Sequence, residues 1–235
     1  ALARDLEQFR SDPELGYRTA GSRAEFVAGE FLYRRMSEMG LKTEKHPVVL
    51  DGWEFCGATL TYQTEEGERT IRLGGYQTNL EVKDLKTELV GAGKGTEKDF
   101  LKTDVRGKIA LIRINQRDEW WINYPACQAH LAGAAAVIAV QDKGYGEVDP
   151  AALNAQDICG LPNAPAFSMS KSDMAAVLSE MKKGRLEVVL NAQSKVREKV
   201  TTYNIVGMIP GQTSQMIAVS AHYDSYFHGF EDDNC

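Results

Sequence analysis

Between Ala24 and Met39 the apolar residues Ala24, Val27, Ala28, Phe31, Leu32, Met36 and Met39 recur every three or four positions. That spacing gives a helix one apolar stripe. Ser22 stands at the N-cap with Glu25 three residues on, the capping-box spacing, and Gly40 sits where a left-handed residue past the helix end belongs. A shorter helix is expected from about Leu2 to Arg10. A strand should follow the long helix over Leu41–Leu50, because a single apolar stripe needs a sheet to cover.

Beyond Asp51 the period shortens. Trp53–Tyr62, Arg69–Leu73 and Thr87–Gly91 are short β-like runs separated by Gly and Glu, which suggests an antiparallel sheet with tight turns. Val105–Ile114 reads as a strand, Tyr124–Leu131 as a short helix and Gly133–Val140 as a buried strand, a β-α-β order that points to a small mixed unit. A loop rich in Gly, Pro and Asn covers Asp142–Pro165. Ser172 is expected to cap a helix running to Lys183, with a strand at Leu186–Leu190. Tyr203–Ile209 and the apolar run Met216–Ala221 look like neighbouring strands joined through Pro210-Gly211.

Composition narrows the function classes. With 43% apolar and 26% charged residues over 235 positions, the chain has the make-up of a globular protein that buries a real core. A net charge of −6 argues against nucleic acid as the main partner, since phosphate binding needs clustered Lys and Arg. The longest apolar stretch, Leu131–Val140, is too short to span a bilayer, so no membrane span is expected. Cys56, Cys127, Cys159 and Cys235 lack Cys-x-x-Cys spacing, which disfavours a cysteine zinc site and leaves thiols or disulfides open. Gly-x-Ser-x-Gly, Gly-x-Gly-x-x-Gly and P-loop patterns are all missing from the sequence.

The candidate chemistry gathers in the last fourteen residues. His222 and Asp224 follow the apolar run at its end, spaced to share one face of a strand. A metal-bound imidazole whose second nitrogen donates to a carboxylate fits that pair. Gly229 lets the chain turn back, bringing Asp232 or Asp233 toward the same point. A local hydrogen-bonded pair beside a solvated acidic loop is the plainer alternative. His228 fits a solvent-facing loop or a second ligand, whereas His46 and His130 read as structural. Trp120, Trp121 and Tyr124 pack internally or face a substrate or partner.

Together these segments resemble the co-catalytic zinc exopeptidases, the group of bacterial leucyl aminopeptidases, aminopeptidase Y and glutamate carboxypeptidase II. The resemblance rests on Arg18-Thr-Ala-Gly21-Ser22, Asn204-Ile-Val-Gly207 with Ile209-Pro-Gly211, Ala221-His222-Tyr-Asp224-Ser225 and Asp233-Asn234. Asp104–Ile112 and Ala132–Ile138 are similar to a protease-associated domain, which several members carry as an insert. The implied fold is α/β: part of a zinc-exopeptidase mixed sheet with helices on its faces, interrupted by a small α+β insert. The implied layout is a peptidase domain at 1–50 and 196–235, with the insert at 51–195.

Carried over by resemblance, His222 ligates one metal, Asp233 bridges two, and Asp224 is the catalytic residue that orients His222. The implied cofactor is Zn²⁺, two per complete active site. Such ions, about 3.5–4 Å apart, share a hydroxide and polarise a peptide carbonyl. The expected activity is that of an aminopeptidase acting on peptide substrates, secreted as relatives with this insert mostly are. The family's general-base Glu, its remaining ligands and its last His have no counterpart up to Cys235. The chain is therefore expected to be inactive alone and to have a C-terminal remainder of the same protein as its partner. A non-catalytic binding ectodomain of the same fold is the alternative.

Overall fold

The computed structural model describes residues 2–116, 118–143, 149–153 and 164–226. Asp233, His228, Cys159 and Cys235 lie outside them, as does much of the expected loop at 142–165. The fold is mixed α/β and divides into two compact units, residues 1–55 with 196–235, and residues 56–195.

In chain order the elements are α1 (Leu2–Leu6), α2 (Arg23–Glu38), β1 (Lys42–Thr64), β2 (Gly67–Gly75), β3 (Leu80–Gly91), α3 (Glu97–Phe100) and β4 (Ile109–Ile114). Then come α4 (Asn123–Leu131), β5 (Ala136–Gln141), β6 (Ala166–Ser168), α5 (Lys171–Met181) and β7 (Leu186–Met208). The strand order β1-β2-β6-β5-β4-β3-β7 closes into a barrel.

The middle unit follows from two textures of sequence. β1 and β2 form an antiparallel hairpin from Ala58↔Leu73 to Thr64↔Gly67, as the alternating, Gly-bounded runs predict. β3, β4, β5 and β6 run parallel to one another in sequence of pairing, and α4 carries the crossover between β4 and β5. Every residue of β5 is buried, as is all of β4 except Arg113. Continuous apolar runs of this kind are what a strand covered on both faces requires. The run Thr87–Gly91, expected in an antiparallel sheet, is the end of β3 and pairs parallel to β4. Its other edge pairs antiparallel to β7, from Leu80↔Ser194 to Leu89↔Leu186.

Caps fix the ends of the helices. Thr96 and Asp99 form a complete capping box on α3, and the Asp99 carboxylate also accepts the Lys94 N–H at 3.2 Å. Burial works against ionisation of Asp99, yet the bonds from the Thr96 hydroxyl and the Thr96 and Lys94 amides hold its carboxyl below the usual range. α5 begins earlier than expected. Ser170 is its cap, accepting the Asp173 N–H at 3.0 Å, while the Ser172 hydroxyl donates to the Pro150 carbonyl.

In the other unit, α2 starts and stops where the sequence places it. The Ser22 hydroxyl accepts the Glu25 N–H at 3.1 Å. At the far end Gly40 has φ +85°, its N–H reaches the Ser37 carbonyl and the Leu41 N–H the Met36 carbonyl, which is a Schellman closure. The buried face differs from the apolar stripe: it holds Ala24, Glu25, Ala28, Gly29 and Leu32, while Val27 and Met39 are exposed. A carboxylate that finds hydrogen-bond partners can replace an apolar residue on that face, and Glu25 does so.

Two small cores result. Leu6, Ala28 and Leu32 are buried with Phe9, Phe31, Ile205 and Tyr223 packed around them. Tyr17, buried completely, meets Trp53 edge-on at 5.6 Å between ring centroids and Phe55 at 4.8 Å.

The expected strand at Met216–Ala221 does not form. The run is irregular, and Ile217 and Val219 are 94% and 95% exposed. Apolar character marks a buried strand only where neighbouring strands supply ladder partners, and among the described residues no pairing includes this run. No described helix is long and apolar enough to cross a membrane. Trp120 stacks edge-on against Tyr124 at 5.4 Å, while Trp121 is 54% exposed.

Candidate functional site

The His222-Tyr223-Asp224 turn is built by the N-terminal loop rather than by a strand before it. Arg18 and Ser225 pair backbone to backbone, each N–H reaching the other's carbonyl at 2.9 Å. The Arg18 side chain is buried and donates from Nε to the Tyr223 carbonyl at 2.6 Å and from Nη1 to the Leu6 carbonyl at 2.8 Å. The Arg-x-x-Gly-Ser segment thus does two things at once. Its Arg holds the candidate turn, and its Ser caps α2.

Within the turn, His222 Nδ1 lies 2.7 Å from the Asp224 backbone carbonyl and 3.4 Å from the Asp224 carboxylate. A carbonyl oxygen only accepts, so the ring carries a proton on Nδ1. In the neutral ring that places the lone pair on Nε2, the form in which a histidine ligates metal through that nitrogen. The sequence reading has the ring donate to the Asp224 carboxylate, whereas the nearer acceptor is the Asp224 backbone carbonyl, with the carboxylate second. Both side chains stand half open to solvent.

Behind the turn lies a polar cluster that sequence reasoning missed. Glu25 is only 3% exposed. Its carboxylate accepts the Gly21 N–H at 3.2 Å and the Thr202 hydroxyl at 2.5 and 2.7 Å to its two oxygens. The Tyr223 hydroxyl donates to the Tyr203 carbonyl at 2.9 Å. Burial raises the Tyr223 phenol well above its ordinary value, and the Glu25 carboxylate adds to the effect. The only sequence signal for Glu25 was its N3 position, which any exposed capping box shares.

The structure brings His222 and Asp224 together. His46 is half exposed and bonded to Glu44 at 3.1 Å, and His130 ends α4 in solvent. Among the described residues no group of three or more His, Cys, Asp or Glu is gathered to hold a metal ion. The His222 tautomer suits a zinc ligand, so the described residues fit one corner of such a centre.

Residues 82–177 match the PA domain family. No curated protein matches the chain at the level of sequence. Among solved structures, a zinc aminopeptidase from Bacillus subtilis is 25% identical with a TM-score of 0.62, over 90% of this chain and 48% of its own. A peptidase M28 precursor from Shewanella amazonensis is 19% identical with a TM-score of 0.61, over 87% of this chain and 49% of its own. An aminopeptidase from an Aneurinibacillus species is 21% identical with a TM-score of 0.54, over 91% and 48% respectively. The chain spans about half the length of these proteins. Over about half of their length it shares the fold of these zinc aminopeptidase and M28 peptidase structures, and residues 82–177 match the PA domain.

Proposed function

We propose that the protein is a zinc-dependent exopeptidase, an aminopeptidase that removes N-terminal residues from peptides. The observation that carries the reading is the His222 ring, whose Nδ1 is held by Asp224 on a fold shared with zinc aminopeptidases. Asp233 as the bridging carboxylate belongs to the same proposal, as does the division into a peptidase domain at 1–50 and 196–235 with an insert at 51–195. The PA match at 82–177 supports the insert.

Bound zinc would supply a hydroxide near neutral pH and polarise the scissile carbonyl. The residues described here would provide and aim one ligand of that centre. His222 would give its Nε2 lone pair, and the Asp224 carbonyl would keep the Nδ1 proton in place. The nearby Asp224 carboxylate would raise the basicity of the ring. The remaining donors, the general base and the substrate pocket are not among these residues.

The test is His222→Ala in the intact protein, read by hydrolysis of an aminoacyl p-nitroanilide and by zinc content after dialysis. Loss of both with an unchanged circular dichroism spectrum is expected. Undiminished activity and zinc content would overturn the proposal in favour of a non-catalytic role for the fold.

A further inference from the structure

His222 and Asp224 stand half open to solvent, but the residue between them is tied down. The Tyr223 ring packs on the core of Leu6, Ala28 and Leu32. Its hydroxyl donates to the Tyr203 carbonyl at 2.9 Å and sits in a notch on α2, where a β-carbon added to Gly29 would fall 2.8 Å away. Its carbonyl takes the Arg18 Nε at 2.6 Å, and the next residue but one, Ser225, is paired with the Arg18 backbone in both directions. The turn is therefore clamped through its middle residue, from the side chain and from the backbone.

We infer that Arg18 and Tyr223 are positioning residues, which fix the turn so that the Asp224 carbonyl holds the proton of His222 on Nδ1. An unrestrained neutral histidine favours the proton on Nε2, the nitrogen that must be bare to ligate. A partner at Nδ1 reverses that preference. Arg18 is buried and Tyr223 packs on the core, so the clamp acts on the ring through the backbone. The inference rests on the reading of His222 as a zinc ligand.

The experiment uses protein labelled with ¹⁵N-histidine, at about pH 8.5, well above the ordinary imidazole value of about 6.5. The chain has four histidines, and His222→Gln identifies the resonances of the one in question. The wild type is expected to show His222 as the Nδ1–H tautomer. Arg18→Lys keeps the charge but removes Nε, and Tyr223→Phe keeps the ring but removes the hydroxyl. Both are expected to move His222 toward a mixture of tautomers while the circular dichroism spectrum stays the same. Zinc alone, titrated against a chelator into the intact protein, should bind each variant about tenfold more weakly than wild type.

If Arg18→Lys fails to fold, Tyr223→Phe decides the question. A His222 that remains Nδ1–H in the folded variants overturns the inference and leaves the zinc reading standing. Equal zinc affinity in the intact protein and its His222→Gln variant, or none in either, overturns the zinc reading, while the tautomer spectra still decide whether the clamp exists.

Discussion

Gly21 and Gly52 meet backbone to backbone: a β-carbon on Gly21 would fall 2.5 Å from the Gly52 Cα, and one on Gly52 would fall 2.9 Å from the Gly21 carbonyl oxygen. Gly21 also has φ +75°, in the left-handed region. This contact lets β1 pass directly beside the start of α2. Gly21→Ala should cost about 1–2 kcal/mol from its backbone conformation alone, and more from the clash. Urea denaturation would show the loss as a lower midpoint, and an unchanged midpoint would mean that the two backbones can move apart freely.

Thr202 supplies the buried Glu25 with a side-chain donor. Thr202→Val keeps the shape and removes that donor, leaving a buried carboxylate short of a partner at a cost of about 1–3 kcal/mol. Thr202→Ser should recover most of the loss, because its hydroxyl sits at the same place. Thermal melting of the three proteins separates the hydrogen bond from the packing of the methyl group.

Asp99 offers a pH-dependent test in the other unit. Its carboxyl is held below the usual range, so its contribution is present above the unfolded value of about 3.9 and is lost as pH falls through the lower folded value. Asp99→Ala removes the cap contacts and should cost about 0.5–2 kcal/mol near neutral pH. The gap between wild type and variant should close on acidification to below about pH 3.9. A gap that stays constant down to pH 2 would assign the effect to something other than the charge.

The exposed run at 216–221 predicts tolerance. Ile217→Lys in this chain should change stability by no more than about 0.5 kcal/mol, the range of surface substitutions. Calorimetry giving a larger loss would mean that Ile217 is buried in solution.

Much of this was legible in the sequence. The start and stop of α2 were written in Ser22, Glu25 and Gly40, because caps are local chemistry that neighbours rarely override. The buried β4 and β5 were visible as unbroken apolar runs. His222 and Asp224 meet at a spacing of two residues, but through the Asp224 backbone carbonyl and without the strand expected beneath them. Other features depended on partners distant in sequence. Glu25 looked like any capping residue, and its partner Thr202 lies 177 positions on. Met216–Ala221 had the composition of a strand, but composition cannot say whether a ladder neighbour exists. β1 and β7 each run through what the sequence divided into two strands.

The reach of Arg18 to Tyr223, 205 positions along the chain, sets an order of events during synthesis. A ribosome releases the N-terminal segment long before the turn that Arg18 holds has been made, and for that interval the guanidinium has no Tyr223 carbonyl to meet. The middle unit is complete once β7 has reached Ser194 and paired with Leu80. It can therefore fold while residues 1–55 still wait for their partners. Residues 1–55 are made before the middle unit, yet their structure is finished after it.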